Sequence, residues 1–598
     1  MRSTFVVLVA LALSVSAFPF TSPSAPHLST SVARRQDNTT LAKLPQYDPN
    51  RKARAAAVAV RNEGFIYGPS LIGEAAFFPN GTLGNARTAH DMDVWTLDRE
   101  MIDVFVAQDV QAVSAAIAAN GGLKSLDDYA KVLYEGQWVN SNPRGTAPGI
   151  MTNYTQDLLF SMERLSQNPY SLRLLKRNEP LPFQVEESVT SKLAGTTLRD
   201  LQAGGKLFFV DYSWQSNLTK STLEPLRYGA AVSAYFFLHP RTNDFLPLAI
   251  KTNTGADLIY TPLDSANDWL LAKMMFNVND LFHGQMSHLV MTHDVTEAVH
   301  QAALHTLSED HPIMLILERH MIQGYSSRIV GEWLCFNPGG HWDQLMLIDN
   351  IGCRDYVTDT WPTLGRYKAN YLHTDFKARG LINEKGKYPF KAFPFWDDAS
   401  EIHAGYKAFF KTFVDSYYPT EAYIIGDYEL QNWFVEATKN AKSVNKETLV
   451  EVLTHFGFLV SVGHHALNGG DPVGSKATLP YHLPAIFAPP PDTKGVTDLL
   501  PFLPSVKQSI HYIGFIATFN RQFYEKDKRT LMNAYTDDPL LARLNDATKR
   551  GAQDFFTNMK ALSDKIRART FDSNGLSNGL PFVYRTLDPD FIPFISAV

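Results

Sequence analysis

Residues 269–273 read Trp-Leu-Leu-Ala-Lys and run on to Phe282-His283-Gly284-Gln285-Met286-Ser287-His288-Leu289-Val290-Met291-Thr292-His293. Apolar residues surround the histidines on every side, as in a helix buried within a large core. His288 and His293 stand five residues apart, about 500° on an ideal α-helix, so the two rings would face different ways. One π-type turn, pairing i with i+5, brings them together, and such turns gather at functional sites. By spacing alone His283 and His288 are an equal pair.

A second apolar stretch, Val462-Gly463-His464-His465-Ala466-Leu467-Asn468, carries another set. His464 and Asn468 are i, i+4 and share a helix face without distortion. His465 could take the place of His464, leaving Asn468 only three residues on. The chain closes on Phe591-Ile592-Pro593-Phe594-Ile595-Ser596-Ala597-Val598, a tail apolar enough to enter a core. Burying it also buries the α-carboxylate, which is costly unless a cation receives it.

The 598 residues are 45% hydrophobic and 19% charged, with a formal net charge of -6. A large core is available and wholesale disorder is excluded. No basic run of nucleic-acid type occurs, so a polyanion partner is not favoured. Arg2, the apolar run Phe5 to Leu13 and the small residues Val15-Ser16-Ala17 read as a secretory signal over 1–17. That run is too short to span a membrane, and no stable insertion is expected. Four glycosylation sequons, at Asn38, Asn80, Asn153 and Asn217, agree with secretion. Residues 18–48, rich in Pro, Ser, Thr and Ala with a dibasic Arg34-Arg35, read as a flexible leader. Cys335 and Cys353 are the two cysteines, open to one disulfide or to buried thiols.

From residue 49 to 598 the chain reads as one large, mainly α domain with a few short β-strands. Helical patterns run over 98–118, 266–308, 401–417, 445–465 and 536–568. In the first, Ile102, Val106, Val110, Val113 and Ile117 fall on one face. β-like runs lie near 206–213 and 228–238. The Pro-rich stretch 479–504 is expected to be irregular, on the surface or lining a cleft.

Taken in order, Trp-Leu-Leu-Ala-Lys, Ser-His-x4-His, His-Pro-Ile at His311, His-x3-Asn and an apolar last residue resemble the lipoxygenase family over roughly residues 50–598. The resemblance implies that family's helical domain, with its metal site on two central helices. The implied ligands are His288, His293, His464, Asn468 and the α-carboxylate of Val598, with His283 and His465 in supporting positions. Five N and O donors leave a sixth site for water, an octahedral set suited to redox-active iron or manganese. No N-terminal β-barrel segment of the plant and animal type can be recognised, the last residue is Val rather than Ile, and the chain reads as secreted. These features are similar to the secreted fungal manganese lipoxygenases, so manganese is expected, with iron as the alternative.

The resemblance implies a dioxygenase reaction on polyunsaturated fatty acids such as linoleate or α-linolenate. As the resemblance implies, a trivalent metal with bound hydroxide would take the bis-allylic hydrogen as a coupled proton and electron, and O2 would add to the carbon radical. The peroxyl would take back an electron and a proton to give the hydroperoxide as the metal returns to the trivalent state. Gln285, three residues before His288, would reach the metal-bound solvent or the substrate. Gly331, counted from His311, falls at the stereochemistry determinant and implies R-type products; Phe336 would flank the same channel. Arg521 is a candidate tether for the substrate carboxylate, and a monomer is expected. A secreted lipid-binding protein with core histidines is the rival of another class. A zinc hydrolase is not supported, since neither His-Glu-x-x-His nor Gly-x-Ser-x-Gly occurs.

Overall fold

The computed structural model describes residues 41–68, 78–438, 444–468, 474, 478–479, 481–518 and 528–596. Helix α1 (Arg51–Gly64) leads into the 40-residue α2 (Gly81–Asn120). The Asn80 side chain accepts from the Gly81 N–H at the start of α2, and Gly121 closes it in the left-handed region at φ 73°. The centre is built from α3 (Ala266–His288), α4 (Asp294–Thr306) and α5 (Pro312–His320). Around these pack α6 (Pro394–Tyr417), α7 (Lys446–Phe458), the single turn α8 (His464–Leu467) and α9 (Asp546–Arg567).

Helix α3 is buried on almost every side, so its polar residues must find partners inside the protein. Trp269 and Lys273, one turn apart, both donate to Asp157 Oδ1, at 2.7 and 3.0 Å. Further along, the fully buried Arg164 donates to Asn277 Oδ1 at 3.0 Å and to Asp280 Oδ2 at 3.1 Å, with Glu163 Oε2 at 3.1 Å. These contacts fix the rotation of α3, and with it the direction in which its last residues point.

Five antiparallel strands form a meander against α3: β1 (Arg173–Leu174), β2 (Leu207–Asp211), β3 (Ser233–Leu238), β4 (Phe245–Lys251) and β5 (Ile259–Tyr260). Register is set by pairs such as Leu207 with Phe237 and Ser233 with Lys251. On one face Phe236 stands edge-on to Phe276 of α3, with ring centres 5.8 Å apart. The other face, with Phe209, Tyr235 and Phe237, packs in a separate cluster with Phe183, Leu198 and Leu201. Burial on both faces explains why the strands read as apolar runs rather than as alternating patterns.

Close helix crossings complete the core. A Cβ on Gly457 of α7 would meet Tyr406 Cε1 of α6 at 2.7 Å, so only a missing side chain allows this approach. Tyr535 stacks on Phe409 of α6 with ring centres 3.9 Å apart.

Several details differ from the sequence reading. The packed chain already begins within the expected leader: Ala42 and Leu44 are buried, and the Ala42 N–H donates to Arg543 O at 2.8 Å. The first half of the Pro-rich stretch is core rather than surface, with Leu479, Tyr481, Leu483, Ala485 and Ile486 buried. Helix α2 is long and apolar enough by length and composition to cross a membrane, a feature the pattern search missed. It is also tied into the protein: Ile102, Val113 and Ile117 are buried, Asp98 pairs with Arg529 at 2.7 Å, and Asp109 accepts from Ser141 Oγ at 2.6 Å. Cys335 and Cys353 are free buried thiols rather than a disulfide, and burial pushes the Cys335 thiol up to about 12.

Candidate metal centre

Both histidine stretches contain a π turn at the point where the ligands are needed. The first, Leu289–His293, joins α3 to α4, as the His288–His293 spacing requires. The Thr292 hydroxyl donates to the His288 carbonyl at 2.5 Å, supporting the backbone where the turn widens. The second, Leu459–Gly463, joins α7 to α8 and was not foreseen, because His464 and Asn468 need no distortion to share a face. Its effect is to set His464 against the first turn.

Three imidazoles converge there. One ring nitrogen each from His288, His293 and His464 lies within 4.8 Å of the others, and all three residues are buried. Two trans imidazoles on one ion span about 4.2 Å, so the cluster could hold an ion after small ring movements. His283 is not part of it: its Nδ1 meets Asn168 Nδ2 at 3.1 Å, and burial lowers its pKa to about 4. Of the equally spaced pair His283 and His288, it is His288 whose ring lies in the cluster.

The donor state fits a metal. Burial, then the neighbouring His288, Arg328 and His465, holds His293 well below the usual histidine range, so the ring is a neutral donor. His293 Nδ1 makes no hydrogen bond among the described residues and sits 3.9 Å from Glu297 Oε1. His288 Nδ1 is bonded to the Gln285 carbonyl. A carbonyl only accepts, so Nδ1 carries the proton and Nε2 of His288 is the available donor. A neutral His293 and the Nε2 donor of His288, buried together with His464, suit a redox-active first-row ion. The neighbouring carboxylates, Glu297 and Asp294, are engaged by Arg328.

The other candidate residues are spread over several elements. Gln285 is buried and donates through Nε2 to Leu467 O at 3.4 Å, tying α3 to α8. Asn468 is buried and its N–H donates to His464 O at 2.9 Å. Gly331, half-buried, opens a third π segment, Gly331–Phe336, and Phe336 at its end is buried beside Trp342 with ring centres 6.2 Å apart. Asn80 and Asn217 are exposed, while Asn153 is half-buried with Nδ2 on Pro581 O at 2.6 Å. Val598, Arg521 and Asn38 lie outside the described residues.

The remaining histidines nearby are structural. His300 meets the Tyr325 hydroxyl at 2.7 Å, and His311 meets Asp427 at 3.0 Å. His320 and His465 hold the C-terminal tail: His320 Nδ1 is 2.7 Å from Phe594 O, and His465 Nε2 is 3.0 Å from Ile595 O. Sequence reasoning missed these roles, and also the buried ion pairs of Glu297 and Asp294 with Arg328. The spacing of His293 and Glu297, one helical turn, was the available signal for Glu297.

Fold and site together define a mainly helical protein with a candidate mononuclear metal centre, three buried histidines brought together from two π-interrupted core helices. A lipoxygenase family model matches residues 181–471. The manganese lipoxygenase of Pyricularia oryzae is 44% identical over 568 residues, spanning 93% of this chain and 91% of that protein. That of Fusarium oxysporum is 42% identical over 566 residues, spanning 93% and 92%. A solved manganese lipoxygenase structure superposes with a TM-score of 0.91 at 43% identity, covering 94% of this chain and 100% of that one. The chain belongs to the lipoxygenase family, the dioxygenases that act on polyunsaturated fatty acids.

Proposed function

We propose that the protein is a secreted, manganese-dependent lipoxygenase that converts linoleate and α-linolenate to R-type hydroperoxides. The observation that carries this reading is the buried triad His288, His293 and His464, formed at the meeting of two π turns. The manganese assignment is supported by the printed names of relatives more than 40% identical over nearly the whole chain. Asn468 and the α-carboxylate of Val598 are proposed as the remaining protein donors. The burial of Ile592, Phe594, Ile595 and Ser596 supports a tail that runs through the core.

A bound manganese ion would supply the one-electron couple that a weak but barely acidic bis-allylic C–H demands. The chain's own residues supply the rest. The apolar wall keeps water from the radical, and the ordered donor set fixes the ion where a pentadiene must be aligned. Gly331 is proposed to leave open the oxygen approach that gives R-type products, and Phe336 to flank that channel. Arg521 is proposed as the tether for the fatty acid carboxylate. Secretion as a monomer rests on the signal-like N-terminus, and N-glycans on the exposed Asn80 and Asn217 would accompany it.

Elemental analysis of protein secreted by its native host, paired with chiral analysis of linoleate products, tests the reading. Near-stoichiometric manganese and R-hydroperoxides are expected. Stoichiometric iron would overturn the manganese assignment while leaving the dioxygenase in place, and no redox metal would overturn both.

A further inference from the structure

We propose that His465 and His320 form a hydrogen-bonded relay that fixes the tautomer of the ligand His464 through the C-terminal tail. The relay deepens the metal-centre reading above and rests on it.

The geometry starts at the carbonyl of Ile595, 3.0 Å from His465 Nε2. A carbonyl oxygen has no proton to give, so Nε2 of His465 carries one. In a neutral His465 the other nitrogen, Nδ1, is then an acceptor. Nδ1 of His465 lies 3.2 Å from Nδ1 of His464, and the only proton that contact can use is on His464. With Nδ1 protonated, Nε2 of His464 keeps its lone pair and becomes the metal donor. A single tail carbonyl thereby decides which nitrogen of a ligand two rings away faces the ion.

The same logic repeats one residue back along the tail. His320 Nδ1 donates to Phe594 O at 2.7 Å, and its Nε2 accepts from the Tyr535 hydroxyl at 2.8 Å. His320 is fully buried, and Phe456 of α7 stands edge-on to it with ring centres 6.2 Å apart. Two successive carbonyls, 594 and 595, are thus held by imidazoles from opposite parts of the core, one at the end of α5 and one on α8. Further bonds hold the tail behind them: Leu531 N–H to Ile592 O at 2.7 Å and Phe594 N–H to Arg529 O at 3.2 Å. Bonds to both carbonyls restrain the tail on either side of residue 595, and the Ile595 carbonyl in turn holds His465 against His464. His465 and His320 are therefore positioning residues.

The test uses full-length protein with its native terminus and compares two nearly isosteric replacements. In His465→Gln the amide donates to Ile595 O and accepts from His464, whereas His465→Met fills the space and does neither. Manganese affinity is measured by chelator competition, and the Mn(II) electron paramagnetic resonance spectrum of each variant is recorded. The methionine variant should bind manganese about 10–100-fold more weakly, the usual loss for a hydrogen-bonding partner of a metal-bound histidine. The glutamine variant should stay near wild type, with an unchanged spectrum. Equal affinities in the two variants would overturn the relay, provided wild type binds manganese. A wild type without manganese would instead overturn the metal-centre reading.

Should His465→Met not fold, Tyr535→Phe tests the far end at constant ring volume. It should weaken manganese binding in the same direction by a smaller factor, and an affinity and spectrum identical to wild type would overturn the relay.

Discussion

Arg328 donates from Nε to Glu297 at 2.6 Å, and Glu297, on α4, stands one helical turn beyond His293, a proposed metal ligand. The same guanidinium also pairs with Asp294, the residue directly after that ligand. All three side chains are buried. The single guanidinium therefore offsets part of the charge of two carboxylates beside the candidate metal site and ties down the helix turn that follows His293.

Arg328→Met should destabilise the protein by about 3–5 kcal/mol, because it leaves carboxylates buried without their cation. Chemical denaturation of wild type and variant measures the difference. Manganese retention should fall with it, since an unpaired Glu297 is free to turn towards His293. A variant with unchanged stability would show that the ion pair is replaceable by packing.

Much of this centre was legible in the sequence, and the reasons differ from residue to residue. The pair His288 and His293 demanded a π turn because five residues overshoot a helix face. The turn at 459–463 left no such trace, since nothing in Leu-Val-Ser-Val-Gly departs from an ordinary helix. Strand β4 was invisible for a related reason: it contains Pro247 and is buried on both faces, so neither alternation nor composition marked it. The tail bonds of His320 and His465 are contacts across 274 and 130 residues, and no local pattern encodes them.

Acid should unfold this protein sooner than its composition suggests. Burial lowers His320 to about 4 and His455, whose ring lies between Tyr367 and Tyr371, to about 3. In the unfolded chain both return to about 6.5. Below that pH the unfolded state binds more protons, so the stability these groups contribute is present above 6.5 and is lost as pH falls towards 4. Each costs about 1.4 kcal/mol per pH unit within that window. Denaturant titrations at pH 7, 6, 5 and 4 should show the decline, and His455→Phe should make it shallower by one group. An identical slope in that variant would mean that His455 takes up its proton equally in the folded and unfolded states.

Gly331→Ala should alter product stereochemistry and leave metal content unchanged. Gly331 opens the π segment Gly331–Phe336, a different element from those carrying the three histidines. One methyl group is small beside a fatty acid, yet it is comparable in size to O2. Chiral chromatography of linoleate products should show a shift from R towards S or a change in the oxygenated carbon. A product profile identical to wild type would remove Gly331 from the oxygen route.

The last expectation concerns the terminus. Ile592, Phe594 and Ile595 are fully buried and Ser596 is 3% exposed, so the tail lies in the core as far as Ser596. An extension added after Val598 would be attached two residues beyond a buried segment. It would also turn the proposed carboxylate ligand into a neutral amide carbonyl. A C-terminal tag should therefore remove activity and most of the metal, while the large core keeps the protein folded. Deleting Val598 should do the same, because the new carboxylate falls about 3.3 Å short on an extended tail. Val598→Ile keeps the carboxylate and adds one methylene, costing about 1–3 kcal/mol at worst, so it should hold its metal. Elemental analysis and oxygen uptake with linoleate, before and after proteolytic removal of the tag, decide the matter. Full manganese and normal turnover in the untrimmed, tagged protein would show that the carboxylate is not a ligand.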